Sequence, residues 1–387
     1  MDFYALLKLM VDKKASDLFI TEGMPPSIKV NGKVIPVGKA SLSADASLEL
    51  VESIMNDKQR VEFGADKELN FAIESDAVKG ARFRVSAFYQ RNHAGMVLRR
   101  IETQIPTTEE LLLPPILNEL VLSKRGIIIF VGATGTGKST SMAAMIGYRN
   151  RNTKGHIISI EDPIEFVHQH AGCIITQREV GIDTESFEVA LKNTLRQAPD
   201  VIVIGEIRTR ETMELAISFA ETGHLVLATL HANNANQALD RIQHFFPADN
   251  HNQLWMDLSL NLRAILAQQL LPTADGLGRR AVIEVLINTP LAADLIRKGE
   301  VHKLKELMTR SSELGMRTFD QALYELYEQK VITYEEAIAA ADSKNDLRLM
   351  IKLQSETDVD YLDKAADELM IDGDEGDDGG SFRLFDN

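Results

Sequence analysis

A single cysteine, Cys173, occurs in 387 residues. That excludes an intramolecular disulfide framework, fits a reducing compartment, and leaves too few thiolates for a cysteine-based zinc site. No apolar run approaches the roughly 20 residues that a membrane-spanning helix needs. No basic stripe interleaved with aromatics appears, and aromatic residues make up only 6% of the chain. With a net charge of −15, this argues against a protein whose main partner is nucleic acid. Much of the charge is local: from Glu356 to Asn387, twelve acidic residues face two basic ones. The body of the chain is therefore mildly acidic, and a local basic surface remains open. Internal repeats are absent. The opening stretch from Met1 to Val11 spaces apolar residues as a helix does, but it has an early Asp2 and no small-residue cleavage site. It reads as a surface helix rather than a signal peptide.

What is present is a globular composition, 44% hydrophobic and 26% charged, and a length that predicts two to three domains. The organising stretch is Gly132-Ala133-Thr134-Gly135-Thr136-Gly137-Lys138-Ser139, with Thr140 following. It satisfies G-x-x-x-x-G-K-[ST] without a mismatch. The apolar run from Gly126 to Val131 predicts a buried parallel strand before it, and the residues from Ser139 on predict a helix after it. In that setting, glycines let backbone N–H groups wrap a phosphate while the helix N-terminus adds its positive end. Lys138 then reaches the β- and γ-phosphates of ATP, and the Ser139 hydroxyl completes the coordination of Mg²⁺.

Residues 1 to about 100 predict a small α+β domain. Its elements are the opening helix, a strand near 16–21, two strands flanking Asn31-Gly32, a polar helix around Asp45 to Gly64, and strands near 68–73, 80–89 and 95–101. In the second of these last strands Arg82 and Arg84 share a face opposite Phe83 and Val85, as in a half-exposed sheet. The polar stretch Thr103 to Thr108 reads as a connection between domains. Beyond it strands near 126–131, 156–160, 201–204 and 224–229 alternate with helices near 139–150, 186–197, 210–221 and 234–245. This predicts right-handed β-α-β units and a mostly parallel sheet with functional loops at the strands' carboxyl ends. After the stretch Arg279 to Leu286 the chain looks helical to about Gln354, and the acidic, Gly-rich end is expected to be disordered.

Each predicted core strand ends in polar residues. Glu161-Asp162-Pro163-Ile164-Glu165 follows one, Gly205-Glu206-Ile207-Arg208 another, and Thr222-Gly223-His224 and His231-Ala232-Asn233 bracket a third. Carboxylates at such ends face the γ-phosphate and its metal ion. Glu161 is the candidate base for the attacking water, and Glu206 the candidate carboxylate on the Mg²⁺ side. His231 is a candidate γ-phosphate sensor. A lone glutamate after a strand can equally cap a helix, and an isolated histidine can be purely structural.

Taken in order, these segments, with Gln177-Arg178-Glu179-Val180-Gly181, resemble the Walker A, Asp box, following loop, Walker B and His box of the secretion-type ATPase superfamily. More narrowly, the chain resembles the type IV pilus retraction ATPases. The resemblance implies an α/β fold with a RecA-like P-loop ATPase core preceded by a PAS-like domain, with ATP between them. The corresponding divisions are 1–102 for the PAS-like domain, 103–112 for the linker, 113–288 for the ATPase core, 289–355 for a helical subdomain and 356–387 for the acidic tail. It also implies a homohexamer on the cytoplasmic face of the inner membrane, beneath an inner-membrane pilus platform protein and with no direct nucleic-acid partner. Arg82 and Arg99 match a region whose arginines approach the nucleotide phosphates in the family, and which of Arg82, Arg84, Arg99 and Arg100 does so here stays open. Departures from the common PilT pattern include Ala198, Thr209, the segment Leu291 to Arg297 and the acidic tail, and the tetracysteine module of assembly ATPases is missing. These place the chain on the PilU-like side, as an accessory to a sister, PilT-like motor in twitching motility. The alternative is a nucleotide-binding adaptor that recruits or stiffens that motor without turnover of its own.

Overall fold

The computed structural model describes residues 3–354 apart from 31, 75–77, 79, 80, 102 and 103. The expected disorder of 356–387 lies outside the described residues. Helix α1 (Phe3–Asp12) buries Phe3, Leu6, Leu7 and Met10, the i, i+3, i+4, i+7 set of an amphipathic helix. Strands β1 (Asp17–Ile20), β2 (Ser27–Val30) and β3 (Lys33–Pro36) follow, then helices α2 (Ala44–Glu52) and α3 (Asp57–Asp66). Strands β4 (Glu68–Glu74), β5 (Arg82–Gln90) and β6 (His93–Ile101) complete a six-stranded sheet in the order β3-β2-β1-β6-β5-β4, with its neighbours antiparallel. Phe83, Val85 and Ala87 of β5 are buried while Arg82, Arg84 and Ser86 are half-buried, so the predicted alternation of faces holds.

The single polar helix expected between Asp45 and Gly64 is two helices. Asn56 accepts the N–H of Gln59, and the Gln59 side chain accepts the N–H of Asn56 (2.9 Å each). This reciprocal cap starts a new helix and breaks the old one.

Residues 104–115 carry neither α-helix nor strand. Helix α4 (Ile116–Val121) then leads into β7 (Gly126–Val131), α5 (Lys138–Asn152), β8 (Gly155–Glu161), β9 (Cys173–Glu179), α6 (Phe187–Thr194), β10 (Val201–Ile204), α7 (Arg210–Glu221), β11 (Leu225–Leu230), α8 (Ala235–His244), α9 (His251–Asn261), β12 (Leu262–Pro272) and β13 (Arg279–Ile287). The second sheet runs β13-β12-β7-β11-β10-β8-β9. Every residue of β7, β10 and β11 is buried, as strands covered on both faces require. Three of these strands, β9, β12 and β13, are absent from the sequence reading. Residues 173–179 end in what looks like a polar loop, yet they form β9 parallel to β8. Strand β12, parallel to β7, follows α9 with no turn residue between them to announce it.

The sheet's register positions the chemistry. Ile129 pairs with Ala228, Ala228 with Ile204 and Ile204 with Ile160 across four parallel strands. Gly132, Glu206, His231 and Glu161 therefore emerge at one edge, the carboxyl edge.

The chain divides into two compact units, Met1–Leu270 with Ile283–Thr318, and Leu271–Val282 with Phe319–Asn387. The first also holds α10 (Pro290–Arg297) and α11 (Leu304–Arg310). In the second, α12 (Phe319–Glu328), α13 (Tyr334–Ala340) and α14 (Lys344–Gln354) bury Phe319, Leu323, Leu347 and Ile351. There the Asp320 carboxylate accepts the N–H of Asp342 at 2.9 Å, fixing the chain ahead of α14.

Asn56→Ala removes the side-chain half of the reciprocal cap, the Asn56 oxygen that accepts the N–H of Gln59, and leaves the N–H of residue 56 donating to Gln59. It is expected to cost about 1 kcal/mol of stability, read as a lowered denaturation midpoint.

Candidate functional site

The loop after β7 is shaped by close backbone approach. A Cβ at Gly132 would lie 2.5 Å from the carbonyl oxygen of Gln268 and 2.6 Å from Thr136 Oγ1, so only glycine fits without a backbone shift. Thr136 Oγ1 donates to the Ala133 carbonyl at 2.9 Å and tightens the turn. Gly137, at φ +83°, opens α5 with no side-chain cap on the helix's first amides. Those amides are the donors that a helix N-terminus offers to an anion. Lys138 is buried, and its Nζ donates to the carbonyls of Gly132 and Ala133 at 2.8 Å each. Burial pulls its ammonium pKa down, while the charges of Glu206 and Glu165 act in the opposite sense. Ser139 and Thr140 are half-buried on the next two positions.

Gln268, on β12 beside this loop, has no counterpart in the sequence reading. Its Nε2 donates to the Thr136 carbonyl at 2.7 Å, across 132 residues of chain. A polar Gln inside the apolar run of β12 is the signal that could have marked it.

The second group lies at the ends of β10 and β11. Arg208 meets one oxygen of Glu206 through Nε (2.8 Å) and Nη2 (2.7 Å), while His231 Nε2 lies 3.2 Å from the other. Arg208 also lies 3.7 Å from Asp162. The pairing with Glu206 raises the already high pKa of Arg208, so this cation is permanent. The segment that leaves β10 is held against β11 by Thr229, whose hydroxyl donates to the Gly205 carbonyl and whose own carbonyl accepts the N–H of Ile207 at 2.9 Å. The structure thus joins Glu206 and His231 directly and adds Arg208, which the sequence shows only as part of Gly-Glu-Ile-Arg. Thr209 caps α7, accepting the N–H of Thr212 at 3.3 Å. That is a cap an acidic residue also supplies.

The third group is Glu161 and its supports. Ser159, Glu161, Gln177 and Glu179 share one face of β8 and β9, since Ser159 pairs with Gln177 and Glu161 with Glu179. One oxygen of Glu161 accepts from Ser159 Oγ at 2.7 Å and from Gln177 Nε2 at 3.1 Å. Burial nevertheless pushes the Glu161 carboxyl above the usual carboxylate range, outweighing those hydrogen bonds. A carboxylate so placed is a stronger base than one in water.

Three arginines of the first sheet lie near carboxylates. Arg99 Nε lies 2.9 Å from Asp17 and Arg82 4.0 Å from Glu74, both within that sheet. Arg84 Nε lies 4.0 Å from Glu179 at the end of β9. A cleft of about 480 Å³ opens beside Gly132 and Ala133, bordered by His231, Asn233, Arg241 and His244. Among the described residues no helix is long and apolar enough to cross a membrane.

A parallel sheet with a glycine-framed anion loop and strand-end carboxylates defines a P-loop nucleotide-binding protein. Residues 5–338 match the family described as Type II/IV secretion system protein, and the chain belongs to it. It is 71% identical to the type IV pilus ATPase PilU of Pseudomonas aeruginosa, over 96% of this chain and 97% of that protein. To the type IV pilus retraction ATPase PilT of the same organism it is 40% identical, over 87% of this chain and 97% of that one. Its backbone resembles the crystal structure of the pilus retraction motor PilT with bound ADP at a TM-score of 0.84 and 38% identity, covering 90% of this chain and all (100%) of the other. The chain is thus a homologue of the PilU pilus ATPase, related to the PilT motor, as the motif order and its departures predict.

Gly132→Ala is expected to abolish nucleotide binding in a fluorescent-nucleotide titration, because backbone must move to admit the methyl group. Gly135→Ala meets nothing within 4 Å and strains only φ +81°. It should cost about 1–2 kcal/mol and keep measurable binding.

Proposed function

We propose that the protein is a Mg²⁺-dependent ATPase motor that promotes type IV pilus retraction and twitching motility, working as a PilU-like accessory to a PilT-like sister motor. The observation that carries the reading is the convergence of the Gly132–Thr140 loop, the Glu206–His231 pair and the half-buried Glu161 at one edge of a parallel sheet. The order β7-β11-β10-β8, with a strand between those of the anion loop and Glu206, supports a RecA-like core. The six-stranded antiparallel sheet supports a PAS-like domain before it.

In this reading the amides opening α5 and the Lys138 ammonium hold the ATP phosphates. The donor chemistry fits Mg²⁺, a hard cation that takes oxygen ligands and retains water. Ser139 and Glu206 are the residues that would hold it, and it would neutralise charge on the β- and γ-phosphate oxygens. Glu161 accepts a proton as water attacks the γ-phosphorus and the bond to the ADP oxygen breaks. Arg208 fixes the rotamer of Glu206, and His231, bridging Glu206 and the cleft, is placed to respond to the γ-phosphate. Arg82 and Arg99 remain candidates for phosphate contact only if their present carboxylate partners release them.

The reading extends to a homohexamer at the cytoplasmic face of the inner membrane, engaging a pilus platform protein. Two observations support this: the similarity to PilU and PilT spans nearly all of each relative, and family membership covers both sheets.

Steady-state ATPase of the purified protein, with and without a PilT-like partner, tests it. Lys138→Ala is expected to abolish turnover, and Glu161→Gln to bind nucleotide but lose hydrolysis. Normal turnover in either variant removes the role given to that residue, and wild-type binding without turnover under both conditions supports the adaptor reading instead. Because burial holds the Glu161 pKa above its ordinary value of 4.5, activity should fall on acidification starting above that range. Ser159→Ala deletes a hydrogen bond that stabilises the ionised form, so the acid limb of the rate profile should move to higher pH by about one unit.

A further inference from the structure

Glu179 is almost fully buried, 2% exposed, at the carboxyl end of β9, on the same face as Glu161, yet it has been given no role of its own. Its backbone is pinned. The N–H donates to Asp183 Oδ2 at 2.9 Å and the carbonyl accepts the N–H of Asp183 at 2.8 Å. The ladder continues past it, Val180 N–H donating to the Glu161 carbonyl at 2.9 Å. With the backbone fixed, the carboxylate can serve two neighbours. Oε2 accepts the N–H of Ile164 at 3.2 Å, in the loop that leaves Glu161. Oε1 lies 4.0 Å from Nε of Arg84 on β5, in the antiparallel sheet.

The same loop is held at a second place by the same strand face. Gln177 donates to the Phe166 carbonyl and accepts the N–H of His168, both at 2.8 Å. Gln177 also touches Glu161 itself, at 3.1 Å. The first turn of chain beyond Glu161 is therefore clamped by two β9 side chains, of which only Glu179 carries charge. Holding a loop amide needs an acceptor, which a neutral amide side chain supplies without the cost of burying a carboxylate. Burial pushes the Glu179 carboxyl above its ordinary pKa, and the Ile164 N–H, Arg84 and Arg82 act in the opposite sense; what a carboxylate offers here that an amide does not is a charge facing Arg84.

We infer that Glu179 is a positioning residue that ties Arg84 of the antiparallel sheet to the loop 162–168, so that the placement of that sheet sets the placement of Glu161. The inference rests on the reading of Glu161 as the base. It assigns Arg84 a carboxylate partner rather than a phosphate, and it makes the end of β9 the path between the two sheets.

The test uses the full-length protein with a non-hydrolysable ATP analogue, measuring amide exchange of the peptide covering 162–168 by mass spectrometry, alongside ATP turnover and thermal midpoint. Glu179→Gln and Arg84→Gln are each expected to raise exchange in that peptide about threefold or more. Both should lower kcat severalfold with KM for ATP within about twofold. Arg84→Lys should restore both readouts, because it keeps the charge, and the double variant should be no worse than Glu179→Gln alone.

Unchanged exchange at 162–168 in Arg84→Gln overturns the coupling, as does a raised KM with exchange intact, which would mark Arg84 as a phosphate ligand. Multiplicative losses in the double variant overturn it too. The exchange readout needs no turnover, so it decides the coupling even where hydrolysis awaits a partner. Normal hydrolysis by Glu161→Gln would remove the base, while the exchange result would still decide whether Arg84 reaches the loop through Glu179.

Discussion

The parallel register of β7, β11, β10 and β8 is the constraint on which the rest depends. Main-chain hydrogen bonds hold Ile129, Ala228, Ile204 and Ile160 in one line. The residues that follow each strand are thereby delivered to a common edge without any contact among their side chains. A slip of one residue in a strand would turn its side chains to the opposite face and dismantle the site. The uniform burial of β7, β10 and β11 excludes water from that ladder and makes the edge a rigid reference. A motor needs such a rigid part, because strain generated at the nucleotide can only be transmitted by what does not yield locally.

On that edge the protein treats its acidic residues differently. Glu206 is tied to a permanent cation and a histidine, so its orientation is set and its charge is compensated. Glu161 has hydrogen-bond donors but lies in a half-buried place that raises its proton affinity. The division suits a pair in which one carboxylate stays ionised near metal and phosphate while the other exchanges a proton. Lys138 completes the arrangement, a buried ammonium whose charge is supported by Glu206 and Glu165.

The antiparallel sheet enters through electrostatics as well as packing. Arg99 is committed to Asp17, but Arg84 is aimed at a carboxylate on the nucleotide-binding sheet. A half-exposed row of arginines on a strand face would otherwise be an ordinary solvated surface. Here one member of the row reaches an acidic group that is almost dry, and there the effective dielectric is lower and an ion pair counts for more than in water.

Several features follow from local chemistry and are legible without coordinates. The anion loop is set by the spacing of its glycines and Lys138. The core strands are set by apolar runs; the break at Asn56 escapes the sequence reading, although its signal, Asn-x-x-Gln, is local. Glu161, Glu206 and His231 are legible because each directly follows an apolar strand. Gln268, Arg208 and Glu179 are not. Each acts on a partner that only sheet order or a turn brings within reach, as when Gln268 meets Thr136 across 132 residues. Strand β9 was hidden because its polar end carries no apolar run, its pairing being set by β8 beside it. The sequence by itself thus determined which groups could bind phosphate and move a proton. Only the tertiary structure decided which groups hold them in place, since those contacts depend on strand order and burial, and no local pattern encodes either.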